Sequence, residues 1–251
     1  MISVVMSYLN RREHLINTLR SMTKSACRDF EVIVTDDGSS PRHNIDDLPD
    51  QFSFLKVSRI NPWDKKHTNP CIATNISIGQ ARGDIVIIQN PECFHYHDVL
   101  YHVQKNISDN KYLAYTTINR DLVAPFSRMD WDNFNTEKAR VLDVDFNVGP
   151  PENEWYCHEK FRPEAFNFCT AITKRDMDEL KGFDERFAYG VAYDDAEFLE
   201  RVRRKGMEIV FVNDILVVHQ SHGGCTYAYP NVKMLMEKNR QIYNSLYLCE
   251  Y

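Results

Sequence analysis

The 251-residue sequence predicts a single α/β domain, a mostly parallel central sheet with helices on both faces. Three observations carry that prediction. Short β-branched runs alternate with helix-periodic segments through the first ninety residues. The runs are continuously apolar rather than alternating, as in strands buried on both faces. No linker, internal repeat or low-complexity tract divides the chain, whose length suits one large α/β unit.

The elements follow in order. "ISVVM" (2–6) is a buried strand that ends at Ser7. "NRREHLINTLRSM" is a helix, with Asn10 and Glu13 in capping-box spacing and Leu15, Leu19 and Met22 on one face. "FEVIVTDDGSS" (30–40) is a second strand, ending in Asp36-Asp37 and a Gly-Ser turn, and "SFLKVSRI" is a third. "NPWDKKHTNP" (61–70) holds two prolines and reads as a loop. Cys71 to Ala81 is helical, and Gly83 stops it before a strand over 84–89 that runs into Asn90-Pro91-Glu92. A helix in "HDVLYHVQKNI" and a strand in "YLAYTTI" come next. Residues 120–165, rich in Asp, Asn, Pro and aromatics, read as irregular, the mark of a functional loop. "FNFCTAIT" (166–173) returns to strand, a helix runs from Asp194-Asp195 to Gly206, "MEIVFV" and "ILVVH" are two strands, and a last helix begins near Pro230. In such sheets ligands bind beyond the carboxyl ends of the strands. Ser7, Asp36, Asp37, Asn90 and Glu92 all lie at those ends and face one crevice.

Composition sets the outer limits. With 43% hydrophobic and 26% charged residues the chain is an ordinary globular one, and its net charge of −6 argues against a nucleic-acid surface. The N-terminus lacks the form of a signal peptide, and no run approaches the ~20 apolar residues of a transmembrane segment. Seven cysteines without a C-x-x-C pair point to reduced thiols, hence a cytoplasmic location.

A second polar group lies late in the chain. Acids at the start of "DDAEFLERVRRKG" suit the helix dipole, but a cap needs only one. Phe198, Leu199 and Val202 follow Asp195 at three, four and seven residues, which sets Asp195 at the edge of the buried face. Glu197–Arg201 and Glu200–Arg204 then form i, i+4 pairs on the solvent side. His219 ends the strand "ILVVH" and His222 follows three residues on. Either is structural by itself; together they suit a divalent transition metal.

In this order the motifs "SVVMSYLNRREHLINTLRSM", "FEVIVTDDGSS", "ATNISIGQARGDIVIIQNPE", "LKGFDERFAYGVAYDDAEFLERVRRKG" and "VVHQSH" resemble the family 2 glycosyltransferases of the GT-A type, over roughly residues 2–222. The resemblance implies a Rossmann-like fold with a nucleotide-binding half at 1–98, an acceptor-binding half at 99–229 and a C-terminal helix at 230–251. It implies inverting transfer of a sugar from a nucleotide-diphosphate sugar, a UDP-sugar first, to a glycan or other hydroxyl acceptor, in glycan or polysaccharide synthesis. Asp37 is then the base-binding residue, with Ser7 lining the pocket, Asp36 supporting it and Asp194 on the donor side. Glu92 takes the metal-binding place of the family's D-x-D, Asn90 reaches the ribose or the metal shell, and His219 completes a Mn²⁺ or Mg²⁺ site. Asp195 matches the catalytic base. Lys65, Lys66 and Arg82 are candidates for phosphate contact, and Trp131, Trp155, Tyr156 and Phe161 for acceptor contact. N-P-E carries one charge where D-x-D carries two, which throws more of the metal binding onto His219. A metal-dependent phosphohydrolase, or a nucleotide-sugar-binding protein without catalysis, are the alternative functions.

Overall fold

The computed structural model describes residues 1–142, 154–223 and 229–248. Its first half is a parallel βα succession: β1 (Ile2–Tyr8), α1 (Arg12–Met22), β2 (Phe30–Asp36), α2 (Leu48–Gln51), β3 (Leu55–Arg59), α3 (Cys71–Gln80) and β4 (Ile85–Gln89). There follow β5 (Cys93–His95), α4 (Val99–Asn106), β6 (Lys111–Arg120), α5 (Val123–Ser127), α6 (Phe134–Val141) and β7 (Trp155–Cys157). The last elements are β8 (Cys169–Thr173), α7 (Lys174–Leu180), α8 (Asp194–Arg204), β9 (Glu208–Gln220) and α9 (Val232–Tyr247).

The strands form one sheet in the order β3-β2-β1-β4-β8-β6-β9-β5, with β7 added on β6. β3, β2, β1 and β4 are mutually parallel, as the unbroken apolar runs require. β8 runs antiparallel to both β4 and β6, and β9 lies parallel to β6 and antiparallel to β5. The chain winds outward from β1 to β3 and then returns to the other side of β1 as β4. That reversal is the switch point at which α/β sheets bind ligands.

Period-two alternation divides the core between the two faces of the sheet. Val4, Met6, Val32 and Val34 pack under Leu15 and Leu19 of α1 and Val99, Leu100 and Val103 of α4. Val5, Val86, Ile88 and Ile172 pack against Ile78, Met177, Phe198, Leu199 and Val202 on the opposite face. Gly83 permits the tight entry into β4, since a Cβ there would lie 2.6 Å from the Met1 carbonyl oxygen.

The structure departs from the sequence reading in four places. Asn10 caps nothing: it sits in the left-handed region at φ 57°, and its Oδ1 accepts from the Ser40 N–H and hydroxyl, so the amide ties the β1–α1 turn to the turn after β2. The segments "MEIVFV" and "ILVVH" are one strand, β9, whose register on β6 jumps between Tyr115 and Thr116 and leaves 213–215 as a bulge. Residues 120–142 and 154–165 are more ordered than their composition suggests: Phe94, Phe126, Leu142 and Trp155 are buried together as a third cluster, and the half-buried Trp131 packs against it, stacked on Phe134. The Glu197–Arg201 pair is not on the solvent side, because Glu197 is buried and Arg201 also donates to the carbonyls of Leu180 and Gly182. Among the described residues no helix is long and apolar enough to cross a membrane. Five of the seven cysteines are free and buried (Cys27, Cys71, Cys93, Cys157 and Cys169), while Cys225 and Cys249 fall outside the described residues.

Candidate active site

Three groups of side chains gather at the carboxyl end of the parallel strands. The first lies at the end of β2. Asp36 is fully buried: its Oδ2 accepts two bonds from the Arg59 guanidinium, at 2.8 and 2.9 Å, and its Oδ1 accepts the Ser39 N–H. Both oxygens are engaged, so Asp36 shapes the turn. Asp37, also buried, receives Lys65 Nζ at 2.7 Å and faces His67 Nε2 at 2.6 Å. Each of its oxygens keeps lone pairs for a further donor. Ser7, one residue before the end of β1, pairs with Thr35 of β2 and is half-buried. Lys65 and His67 come from the proline-bounded loop 61–70, which bends back over the end of β2. Lys66 and Arg82 stay exposed, and Trp63 is 91% exposed.

The second group surrounds Glu92. β4 ends at Gln89, and the chain turns through Asn90 and Pro91 into β5, whose Cys93 pairs with His219 on β9. This pairing carries Glu92 to the end of β9, where its carbonyl accepts from the Gln220 N–H. Glu92 is 1% exposed, and its Oε1 lies 3.1 Å from His219 Nε2, 2.9 Å from His222 Nε2 and 2.6 Å from Arg11 Nη1. Its Oε2 is buried and makes no hydrogen bond. Burial alone would raise the Glu92 pKa, but the Arg11 charge and the two imidazoles outweigh it and hold the carboxyl well below its ordinary range. The side chain of Asn90, half-buried at the strand end, is bonded to none of the described residues.

The donor chemistry around Glu92 fits a cation. His219 Nδ1 lies 3.0 Å from the Asn119 Oδ1, and His222 Nδ1 lies 3.1 Å from the Gly223 carbonyl oxygen. In each ring Nδ1 faces an oxygen that can accept its proton, and Nε2 faces Glu92 Oε1. Nε2 can meet that carboxylate either as an N–H donor or, with a cation between them, through its lone pair. Glu92, His219 and His222 offer ligand atoms all within 4.8 Å of one another, and Asn119 supplies the outer bond that orients a ligating imidazole.

The third group is the acidic pair at the start of α8. Asp194 Oδ1 accepts from Asn69 Nδ2 at 2.7 Å, and Asp195 Oδ1 accepts from Asn167 Nδ2 at 3.0 Å. Asp194 is buried and Asp195 half-buried. Burial raises both carboxyls, and for Asp194 the adjoining Asp195 charge adds to it. Tyr193, just before the helix, sits at φ 68°, a left-handed turn that sets the angle of the pair.

Short bridges unite the three groups. Asn69 and His67 share one loop, so that loop joins Asp194 to Asp37. Phe168, next to Asn167, accepts the Asn90 N–H through its carbonyl and sets its ring edge-on to His219 at 5.9 Å. Tyr156 stacks obliquely on His219 at 4.7 Å. Of the other aromatics considered for an acceptor, Trp131 is turned into the third cluster and Trp155 is buried against Phe161. The sequence reading did not single out Arg11, Asn69, Asn119 or Asn167, nor the contact of His67 with Asp37.

Solved structures that share this arrangement of sheet and helices are GT-A glycosyltransferases. A fragment of S. aureus TarS (residues 1–349) in complex with UDP-GlcNAc matches with TM-score 0.61 and 15% identity, over 91% of this chain and 61% of that one. The mannosyltransferase PcManGT from Pyrobaculum calidifontis, in complex with GDP-Man and Mn²⁺, matches with TM-score 0.57 and 15% identity, over 90% of this chain and 59% of that one. Residues 3–162 match the family described as Glycosyl transferase family 2, and the chain belongs to that family. Among curated relatives, the glycosyltransferase GlyG of Streptococcus pneumoniae serotype 4 is 22% identical over 239 residues, 89% of this chain and 72% of its own length. An uncharacterized glycosyltransferase of Rickettsia felis is 27% identical over 123 residues, 47% of this chain and 20% of its own length. The chain thus spans about a fifth of the length of some of the relatives it matches.

Proposed function

We propose that this domain is an inverting, metal-dependent glycosyltransferase that moves a sugar from a nucleoside-diphosphate donor to a hydroxyl acceptor in glycan synthesis. The observation that carries the reading is the convergence of Glu92, His219 and His222, through β5–β9 pairing, beside a strand-end pocket holding Asp37 and an acidic pair at the head of α8. Family membership and neighbours solved with nucleotide sugars support it.

Asp37 accepts the imide or amine hydrogens of the base, with Lys65 and His67 holding its carboxylate in place and Ser7 lining the rim. Asn90 reaches toward the ribose. Glu92, His219 and His222 would hold Mn²⁺ or Mg²⁺, which supplies Lewis-acid neutralisation of the departing diphosphate. Asp195 takes the proton of the acceptor hydroxyl as that oxygen attacks the anomeric carbon from the side opposite the leaving group, so the product is inverted. Asn167 fixes the rotamer of Asp195, and Asp194, raised by burial, keeps the pair's total negative charge low near neutrality. The faces of Tyr156 and Phe168, beside His219, shield the reacting centre from water.

A thermal-shift screen of UDP-, GDP- and CDP-sugars, each with and without Mn²⁺, tests the reading. Binding to the native state raises the midpoint by mass action, so one nucleotide family plus Mn²⁺ should stand out by several degrees. No shift with any donor would contradict it.

A further inference from the structure

We infer that Arg11 is an internal counterion that occupies the metal-binding carboxylate until a nucleoside diphosphate arrives, so that the divalent cation and the diphosphate bind as a coupled pair. The inference rests on the transferase reading above and adds to it a positioning residue.

The charge inventory at the site is the starting point. N-P-E supplies one carboxylate, Glu92, where Asn90 is neutral. The Arg11 guanidinium already lies 2.6 Å from Glu92 Oε1, the same oxygen that faces both imidazoles. Arg11 is 17% exposed in its side chain and Glu92 2%, so little water screens the pair. A dication held by Glu92, His219 and His222 would therefore share a single negative charge with a guanidinium. Repulsion between the two cations opposes metal binding by the protein alone.

A diphosphate reverses this balance. It brings the missing negative charges and offers oxygens to both the metal and a planar guanidinium fork. Arg11 is placed to make that exchange. It stands between the end of β1 and the first turn of α1, just after the left-handed turn at Asn10, where the helix N-terminus adds its own partial positive charge. A shift of its head group from Glu92 to phosphate would free Oε1, and the unbonded Oε2 offers a second ligand atom. By linkage, whatever factor the diphosphate adds to metal affinity, the metal adds to diphosphate affinity.

The test is a titration of Mn²⁺ alone, and Mn²⁺ with UDP or GDP, followed by the paramagnetic resonance of the free ion. Wild type, Arg11→Met, Arg11→Gln, Arg11→Lys and Glu92→Gln are compared, with circular dichroism to verify folding. Wild type should bind Mn²⁺ weakly alone and at least about tenfold more tightly with a nucleoside diphosphate. Arg11→Met should tighten Mn²⁺ alone by about tenfold or more and show a smaller gain on adding nucleotide. Arg11→Lys, which keeps the charge, should behave as wild type. If Arg11→Met does not fold, Arg11→Gln is held to the same criterion. A neutral variant that binds Mn²⁺ alone no more tightly than wild type overturns the inference and leaves the site intact. Glu92→Gln with undiminished Mn²⁺–nucleotide binding removes the metal site itself, and both readings fall.

Discussion

Replacing Asp195 by Asn should lower kcat by about a hundred- to ten-thousand-fold, the range for losing a positioned general base, while donor affinity stays near wild type. The amide keeps the shape of the carboxylate and can still accept from Asn167 Nδ2, so the Asp194–Asp195 turn should hold. What it cannot do is take a proton. Pre-steady-state transfer and equilibrium donor binding measured together separate the two effects. Transfer at the wild-type rate would remove Asp195 from the chemistry. The pH profile gives a second check. Burial raises both carboxyls of the pair, and the proposed base must be ionised to take a proton. Activity should therefore be lost as pH falls through the raised pKa, and the acid limb of kcat/KM should lie above the ordinary carboxylate range. Asp194→Asn replaces a carboxyl that burial and the Asp195 charge already hold raised, and should leave that limb nearly in place.

Glu92→Gln is expected to act on both activity and stability. In the transfer reaction it removes the one anionic ligand of the proposed cation site, and kcat should fall by about a hundred- to a thousand-fold, the scale of losing a principal electrostatic stabiliser. Stimulation by Mn²⁺ should vanish with it. In the metal-free protein the same change strips the countercharge from Arg11, with Oε1 no longer anionic between two imidazoles. Breaking such a pair costs about 3 kcal/mol, the low end for buried pairs, because Arg11 keeps some contact with water. Denaturant unfolding without metal should show the deficit. An unchanged midpoint together with unchanged metal stimulation would place Glu92 outside the site.

Local patterns made part of this molecule legible in its sequence. β1, β2 and β4 are continuous apolar runs, and their ends are fixed by the residues that follow. The acidic strand ends and the crevice could therefore be read directly. The family resemblance joined Glu92 to His219, but local pattern shows Glu92 and the histidines singly, because their meeting depends on β5, a strand of three residues with no periodicity to reveal it, pairing across more than a hundred positions with β9. Arg11 lies in a charged run that reads as a solvated helix start, and only the left-handed turn at Asn10 aims it inward. Asn69 and Asn167 are neutral amides in loops, a signal shared with any turn. The aromatic-rich segment after β6 read as irregular because its side chains bury one another rather than following a helix or strand period.

The location of the metal tests the central claim most directly. A crystal grown with UDP or GDP and Mn²⁺, measured at the manganese absorption edge, should show one anomalous peak bonded to Glu92 and His219, with the diphosphate on its far side and Asp195 facing the space beyond. A peak elsewhere in the domain, with Glu92 still closed on Arg11 and the nucleotide bound, would contradict it.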